Sequence, residues 1–499
     1  MNETLDKDRS FAYFVYPFLF DLPTTVPPER QASSPSPDDP FCVFANRVAA
    51  STLDQKQVWT DWKIPINDLM PHVASFLNAG NTNPTGRFWQ LDNNVAQKLQ
   101  TNKIKWKMLR GTTAAPMAFT LGGDFVLQLA LFRHGVGFIT VSAHPVSNDL
   151  GDWLAFLHDF RFMHHRNDVR VCAEKEAYDQ STKQKTRIAY NPLNVPGATA
   201  DQSFWFMDLI KIVLKASGLD ATTDVFTPGH TLPYTSLFVR GTDETDKTTI
   251  RHRLRNFFGP AQGENLPAED LCENHPAHLA YARDQWFIQT LNGGSFLAFE
   301  RVDEPLDQFQ KVSLPNHLSG VYFCANILVL YQRFALARLS EKVATKALTP
   351  DGSDQVWEGI RDDLLDFTAR GYFTQAMQSD HHHRYYRKWQ EVLQIQQLYD
   401  EVRNEVRDLY ERATLRLRKR DDERDKREEE REKRVEQRLS LLGPLFAIPA
   451  LIFGFLGVNI REFSSGFSLR VVLICLMGGL AFATGTFLVL TNFSKREKN

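Results

Sequence analysis

The sequence predicts an α+β domain, then a long charged helix, then a C-terminal pair of transmembrane helices. Three observations lead to this fold class. Strand-like and helical patterns alternate over residues 1–370. Every residue in 418–434 is charged, and basic and acidic residues are nearly balanced there. Residues 439–460 and 469–491 are two apolar runs of about 20 residues, long enough to cross a bilayer.

Length and composition leave room for more than one domain and give no charge signal for the whole chain. The chain has 499 residues, with 58 Lys and Arg against 60 Asp and Glu. A net charge this close to zero does not favour a nucleic-acid-binding protein. The five cysteines stand singly, so we expect reduced thiols and neither a disulfide framework nor a thiolate metal site. The charged N-terminus lacks the apolar core of a secretion signal, and we expect the first domain in the cytosol.

We interpret residues 1–370 as a cytoplasmic α+β sensor domain. A strand is predicted over residues 11–18, and a Pro/Ser-rich loop follows over residues 22–40. Residues 126–141 predict a hairpin that turns at His134-Gly135. Residues 285–299 predict another, which turns at Asn292-Gly293-Gly294.

Helices are predicted in three places in this domain. One covers residues 152–162, and one follows Pro350. The apolar residues of the latter share one face: Trp357, Ile360, Leu364 and Phe367. The third, residues 321–339, is nearly as apolar as the C-terminal runs but carries Asn326, Gln332, Arg333 and Arg338. Because charges at mid-bilayer are costly, we interpret it as a helix buried inside the domain.

Residues 371–438 predict a long stalk helix with a heptad seam followed by a charged rod. The apolar residues of the seam alternate in steps of three and four: Val392, Ile395, Tyr399, Val402, Val406, Leu409 and Ala413. Opposite charges at i, i+4 favour a solvated helix over residues 418–434, although such blocks also occur as disordered linkers. Because neither Gly nor Pro interrupts the region before Gly443, we expect one continuous helix from about Tyr385 to Ile460.

The two apolar runs, 439–460 and 469–491, predict a transmembrane hairpin. Basic residues precede the first run and recur in the tail, residues 492–499, so the positive-inside tendency places both ends in the cytoplasm. We therefore expect a multi-pass protein of the inner (plasma) membrane. Small residues at i, i+4 spacing in the second run favour helix contacts between copies, although they are common in any span: Gly479 with Ala483, and Ala481 with Gly485.

The first run ends in the tripeptide Gly457-Val458-Asn459. A long cytoplasmic helix that enters the first of two C-terminal spans and ends in Gly-x-Asn resembles the CorA metal-ion transporter superfamily. The similarity covers about the last quarter of the chain. In the family the middle residue is most often Met, and Val or Ile occurs among zinc-transporting and divergent branches.

The resemblance implies a homopentameric channel gated by its cytoplasmic domain. The first spans would line the pore, and the Asn459 side chains would form a ring that binds the hydrated ion, Mg²⁺ or another divalent cation. Arg461 stands where the family usually carries acidic residues, which puts Mg²⁺ selectivity in doubt. One face of the first span predicts a hydrophobic gate that closes by dewetting: Leu445, Ile448, Ile452 and Phe455.

A looser resemblance concerns the first domain. Residues 126–143, 321–340 and 371–377 are similar to those of CorA-like proteins found beside type III CRISPR systems. This resemblance implies, as an alternative, a membrane effector of antiviral defence gated by a nucleotide second messenger, an AMP conjugate of S-adenosylmethionine. A third hypothesis is a membrane-anchored scaffold without a pore.

One basic cluster is our candidate site for an anionic ligand such as an adenine nucleotide. Its arginines are Arg240, Arg251, Arg253 and Arg255, and Phe257 and Phe258 follow them. Guanidinium groups bind phosphate in a forked geometry, and aromatic rings stack on bases. A plain surface patch is the alternative interpretation.

The sequence gives no sign of catalysis or of a defined metal site. It contains no HExxH, GxxxxGK[ST] or GxSxG motif, and no GxGxxG motif after a strand, so we expect no enzyme. Asp380 with His381, His382 and His383 invites a metal interpretation, as does His164-His165. Consecutive histidines point in different directions on a helix, so a solvated helix start is the simpler interpretation. The ligands of any regulatory metal stay undetermined.

Overall fold

The computed structural model divides the chain into two compact units, Met1–Arg407 and Asp408–Asn499. It describes residues 4–22, 39–78, 81, 83–100, 104–111, 115–163, 169–179, 184–219, 230–241, 244–259, 266–267, 275–301, 305–347, 354–459, 470, 473–474, 477–481, 484–485 and 488. Within 441–459 the side-chain environment is described only at Gly443, Ala447, Ala450 and Gly454.

The strands of the described residues are β1 (Thr4–Leu5), β2 (Phe11–Leu19), β3 (Thr52–Leu53), β4 (Lys56–Gln57), β5 (Trp59–Asp61), β6 (Gly86–Leu91), β7 (Ile104–Arg110), β8 (Met117–Leu121), β9 (Leu127–Phe132), β10 (Val136–Pro145), β11 (Val169–Asp179), β12 (Gln184–Tyr190), β13 (Leu232–Arg240), β14 (His278–Ala282), β15 (Gln285–Thr290) and β16 (Gly293–Glu300). The α-helices are α1 (Pro40–Ala49), α2 (Pro71–Leu77), α3 (Asn93–Ala96), α4 (Leu150–Phe160), α5 (Phe206–Ala216), α6 (Glu244–Asn256), α7 (Leu314–His317), α8 (Phe323–Ala347), α9 (Asp354–Arg370), α10 (Asp380–Val392) and α11 (Ile395–Asn459). Ile66–Asp68 is a 3₁₀ turn, and Phe309–Ser313 and Leu318–Tyr322 are π-helical turns.

One large sheet, with fourteen strands among the described residues, forms the centre of the first unit. Its main path is β12-β11-β7-β8-β10-β2-β13-β16-β15-β14. Neighbours on this path are antiparallel except for β13 and β16, which are parallel. Strand β2 lies inside the sheet between β10 and β13. Because both faces of β2 are covered, nearly every one of its residues is apolar and buried.

Helices cover both faces of the sheet. On one face the ring of Phe14 packs edge-on against Phe160 of α4, with centroids 4.8 Å apart. On the other face the ring of Tyr13 packs edge-on against Phe323 of α8, at 4.7 Å. Since neighbouring residues of a strand point to opposite faces, this pair defines a layered α/β/α arrangement.

Both predicted hairpins are present, as β9–β10 and β15–β16. Gly135 in the first turn has φ +73°, and a Cβ there would collide with the guanidinium of Arg338. The predicted strand over residues 11–18 is β2, and the predicted helix over residues 152–162 is α4, which begins where the Asp149 carboxylate accepts a hydrogen bond from the backbone N–H of Asp152 at 2.8 Å. Most of the predicted Pro/Ser-rich loop, residues 23–38, lies outside the described residues.

The apolar segment around α8 is buried inside the first unit, as predicted. Among the described residues Phe309–Thr345 is the one helix long and apolar enough to cross a membrane, and 78% of its most apolar window is buried. Its polar groups have partners within the unit. The Gln332 amide donates to the Gly371 carbonyl at 3.1 Å, and the Arg333 guanidinium donates to the Leu393 carbonyl at 3.1 Å.

The prediction of one continuous helix from about Tyr385 is wrong at its beginning. Helix α10 ends at Val392 and α11 begins at Ile395. Between them Gln394 adopts the left-handed conformation, with φ +54°. No Gly or Pro marks this break. Leu393 and Ile395 are 2% and 0% exposed, so burial of both side chains accompanies a backbone turn that helix propensity does not predict.

The first half of the heptad seam packs within its own chain. Ile395, Val402 and Val406 are at most 5% exposed, and the ring of Tyr399 stacks on Tyr372 with centroids 4.3 Å apart. These positions are therefore occupied before any second copy could pair with them. Further along α11, residues 418–434 are helical and exposed throughout.

Candidate functional site

The residues of the predicted pore lie on α11, which ends at Asn459. The backbone of the tripeptide Gly457-Val458-Asn459 is helical, as is that of the predicted gate residues Leu445, Ile448, Ile452 and Phe455. Their side chains lie outside the described residues, as do residues 460–469 and the basic tail. The ion ring and the hydrophobic gate therefore stay predictions.

Large apolar side chains of the second predicted span are exposed in the single chain. Ile474 exposes 69% of its surface, Leu480 exposes 67%, and Met477 and Leu488 expose 63% each. Exposed large apolar side chains favour an apolar environment.

Two arginines of the predicted basic cluster are buried, so the interpretation as a plain surface patch is wrong for them, whereas Arg240 is exposed. Arg251 and Arg253 lie on α6 and expose 4% and 6% of their surface. The Arg251 guanidinium lies 4.8 Å from the centroid of the Trp286 ring, a cation–π contact. Helix α6 packs against β15 and β16, which positions these side chains against the sheet.

The four arginines of the cluster contact different groups. Arg240, at the end of β13, lies 3.8 Å from the carboxylate of Asp6. The Arg255 Nη1 lies 3.0 Å from the Nε2 of His275. The shared anion site therefore stays a prediction.

Arg253 differs in its partners from Arg9, another enclosed arginine. Its Nε and Nη2 atoms are buried and make no hydrogen bond within the described residues, and burial lowers the pKa of its guanidinium. Arg9 is similarly enclosed, but it forms ion pairs with Asp6 and Glu300. Because a buried cation without a counter-charge is unfavourable, an anion beside Arg253 would stabilise the first unit.

A charged cavity of about 590 Å³ lies between the β9–β10 turn, the start of α1, α8 and α9. Three ion pairs line it: Arg133 with Asp39 at 2.6 Å, Arg338 with Asp21 at 2.6 Å, and Lys342 with Asp363 at 2.7 Å. Its volume suits a small molecule. A ligand that carries both a positive and a negative group could replace the partners within these ion pairs. A ligand with a single charge would displace one side chain of a pair and leave the other without a counter-charge.

His134 is one of the residues that line this cavity. Its Nδ1 lies 2.7 Å from the Tyr331 hydroxyl, and its Nε2 lies 3.3 Å from the Asp366 carboxylate. Burial lowers the pKa of His134 more than Asp366 raises it, so the imidazole is neutral at pH 7. Sequence reasoning missed the cavity because its ion pairs join residues far apart in the chain, and no short motif signals them.

The histidine run at the start of α10 is not simply solvated, which corrects that interpretation. His382 is 5% exposed, and its Nδ1 lies 2.6 Å from the Asp68 carboxylate. The same carboxylate accepts hydrogen bonds from the backbone and side chain of Ser379, the residue before the helix. Among the residues that the structure describes, no group of three His, Cys, Asp or Glu side chains is placed to hold a metal ion. His164 and His165 lie outside them.

Comparison of the chain with models of protein families, with curated protein sequences and with solved structures finds no match.

Proposed function

We propose that this chain is the subunit of a CorA-like, homopentameric cation channel of the plasma membrane, gated by its first unit. The main support for this proposal is helix α11. It is a single helix of 65 residues that contains the charged segment and the first apolar run and ends in Gly-x-Asn. The exposed apolar side chains of the second run favour a lipid or subunit environment.

In this proposal the buried part of the seam couples the sensor to the pore. Residues from Ile395 to Val406 pack within the first unit, and the same helix continues to Asn459. A change in that packing would be transmitted along the helix and would open or close the apolar constriction. The Asn459 carboxamides would replace part of the hydration shell of Mg²⁺ or another divalent cation. The first unit is a regulator without catalytic activity, and both chain ends are cytoplasmic.

Ion flux in proteoliposomes tests the proposal. We expect purified protein to conduct Mg²⁺, Co²⁺ or Zn²⁺, detected with an enclosed fluorescent indicator. Asn459→Ala removes one carboxamide from each of the five subunits and should lower the divalent flux by at least about tenfold, since each 1.4 kcal/mol is a factor of ten. Gln437→Ala removes an exposed carboxamide elsewhere on α11 and should leave the flux unchanged. A vesicle that conducts neither divalent ions nor K⁺ would refute the channel.

Arg253 supports a second candidate function, a channel effector opened by an adenine-nucleotide messenger. Its buried guanidinium has no carboxylate partner among the described residues, and such a group favours a bound phosphate. The test adds AMP, ATP or the AMP conjugate of S-adenosylmethionine to the flux assay. Arg253→Gln should abolish the response, and Arg240→Gln, which alters a half-exposed guanidinium, should preserve it. Flux that ignores all three nucleotides would remove this candidate.

A further inference from the structure

The charged segment of α11 arranges its charges in faces. Arginines recur in steps of three and four: Arg416, Arg420, Arg424, Arg427, Arg431, Arg434 and Arg438. Acidic residues recur in the same steps: Asp421, Asp425, Glu428, Glu432 and Glu436. Residues three and four apart lie on one side of a helix. The segment therefore has a basic face and an acidic face, with Arg418 as the one basic residue beside the latter.

The remaining charged residues form a third face of mixed sign: Lys419, Asp422, Glu423, Lys426, Glu429, Glu430 and Lys433. This mixed face compensates its own charge, since Lys433 pairs with Glu429 at 3.9 Å. Arg434 reaches Glu430 at 3.3 Å. In the described residues from 418 to 434 these are the ion pairs that form. Among the described residues, the acidic face and most of the basic face are thus exposed and form no ion pair.

The angle between the two faces excludes some arrangements of neighbouring copies. At 3.6 residues per turn, the centre of the basic face lies about 125° around the helix from the centre of the acidic face. A parallel two-fold dimer would put each face against itself, and like charges would repel. In a closed ring each helix meets two neighbours on different faces, about 108° apart for five members and about 120° for six. The observed separation fits such a ring.

We infer that the basic face of one copy packs against the acidic face of the next in a closed ring of parallel helices. The parallel direction rests on the proposed function, because both copies would enter the same membrane at the same end. Val435, which exposes 55% of its surface, lies midway between the two faces and would point toward the ring axis. The mixed face then points outward to solvent.

The stability of this interface depends on the number of ion pairs along it. A single exposed ion pair contributes little to stability and is screened by salt. Several pairs along each of two interfaces per subunit add up, and the wrong register or direction brings like charges together. The ion pairs therefore affect which helix faces meet more strongly than they affect the affinity between subunits.

Disulfide crosslinking of full-length protein in detergent tests the inference directly. In a chain whose native cysteines are replaced, Arg427→Cys on the basic face and Glu428→Cys on the acidic face should link neighbours into a ladder that ends at the ring size. Glu423→Cys with Lys426→Cys, both on the mixed face, should give no ladder. High salt should slow the first reaction.

Charge reversal in the chain that carries Arg427→Cys and Glu428→Cys tests whether the basic and acidic faces are complementary. Reversing the basic face (Arg420→Glu, Arg424→Glu, Arg431→Glu) should slow crosslinking about tenfold, as should reversing the acidic face (Asp421→Arg, Asp425→Arg, Glu432→Arg). Both reversals in one chain should restore the wild-type rate. Reversing three lysines of the mixed face (Lys419→Glu, Lys426→Glu, Lys433→Glu) should not change it, and circular dichroism should find all variants equally helical.

The outcomes separate this inference from the proposed channel. A protein that is oligomeric by light scattering but gives no ladder, or a ladder indifferent to either reversal, overturns the inference and leaves the channel standing. A protein that is monomeric at every concentration and conducts no ion overturns both.

Discussion

His382 illustrates how single residues hold the first unit together. Its ring is enclosed between the Asp68 carboxylate and Tyr322, whose ring centroid lies 4.6 Å away. Burial lowers the pKa of His382, and it also lowers the pKa values of His134 and His144. Asp68 raises the pKa of His382 but does not reverse the effect of burial. The folded state therefore favours the neutral form of these three imidazoles.

The first prediction is a loss of stability at mildly acidic pH. An unfolded histidine has a pKa of about 6.5, and the folded values are lower, so the unfolded chain binds more protons as the pH falls. The stability is present above about pH 6.5 and is lost as the pH falls toward the folded pKa values. We expect the thermal midpoint to drop between about pH 7.5 and pH 5 in a melting experiment.

The contribution of one imidazole to the pH dependence of the thermal midpoint can be measured by substitution. His382→Asn should lower the midpoint at neutral pH and make its pH dependence shallower, whereas His72→Asn, at an exposed position on α2, should change neither. A slope that is the same in wild type and His382→Asn would contradict the assignment.

The break between α10 and α11 depends on the left-handed backbone conformation of Gln394. A left-handed conformation costs a residue with a Cβ about 1 to 2 kcal/mol, and glycine avoids this cost. The Gln394 N–H donates to the Glu391 carbonyl at 3.1 Å, which a proline could not do.

We therefore predict opposite effects of two substitutions at this joint. Gln394→Gly should raise the free energy of unfolding by about 1 kcal/mol, and Gln394→Pro should lower it by about 3 kcal/mol or more. Gln397→Gly, in the regular part of α11, is the matched control and should lower it by about 1 kcal/mol. Equal effects of glycine at 394 and 397 in denaturant titrations would show that the chain is continuously helical there.

The seam gives a third prediction, also at the scale of elements. Ile395→Ala empties a site that is 0% exposed and should destabilise the first unit by about 2 to 5 kcal/mol. Leu415→Ala, at a position 63% exposed, should change the same unfolding transition by less than about 0.5 kcal/mol. If the seam packs between copies instead, the effect of Ile395→Ala will depend on protein concentration.

At this scale the sequence predicted β2, both hairpins, α4 and the buried α8, because alternation, turn residues and uninterrupted apolar runs are local signals. It missed the break at Leu393 and Gln394, since no turn residue marks it. It also gave no sign of the parallel pairing of β13 with β16, because pairing between distant strands depends on contacts that no local pattern encodes.

For the whole molecule, the prediction concerns topology. If residues 439–460 and 469–491 form a hairpin across the membrane, both chain ends lie in the cytoplasm and the connection lies outside. A reporter active only in the cytoplasm should work when fused at either end. A single cysteine at Ser464 or Ser465, in a chain without its native cysteines, should react with an impermeant maleimide added to intact cells. Activity at one end alone would refute the hairpin.

Local composition was enough to identify the strands with clear turns, the helical charged segment, and two apolar runs flanked by basic residues. Features that depend on distant partners required the folded structure. Arg251 and Arg253 are charged and only His252 separates them, so their sequence suggested a surface, yet the fold buries both against the sheet. The charged cavity likewise exists only because the β9–β10 turn meets α1, α8 and α9. Local patterns report the backbone preference of a segment, whereas burial and ion pairing depend on which distant segments pack beside it.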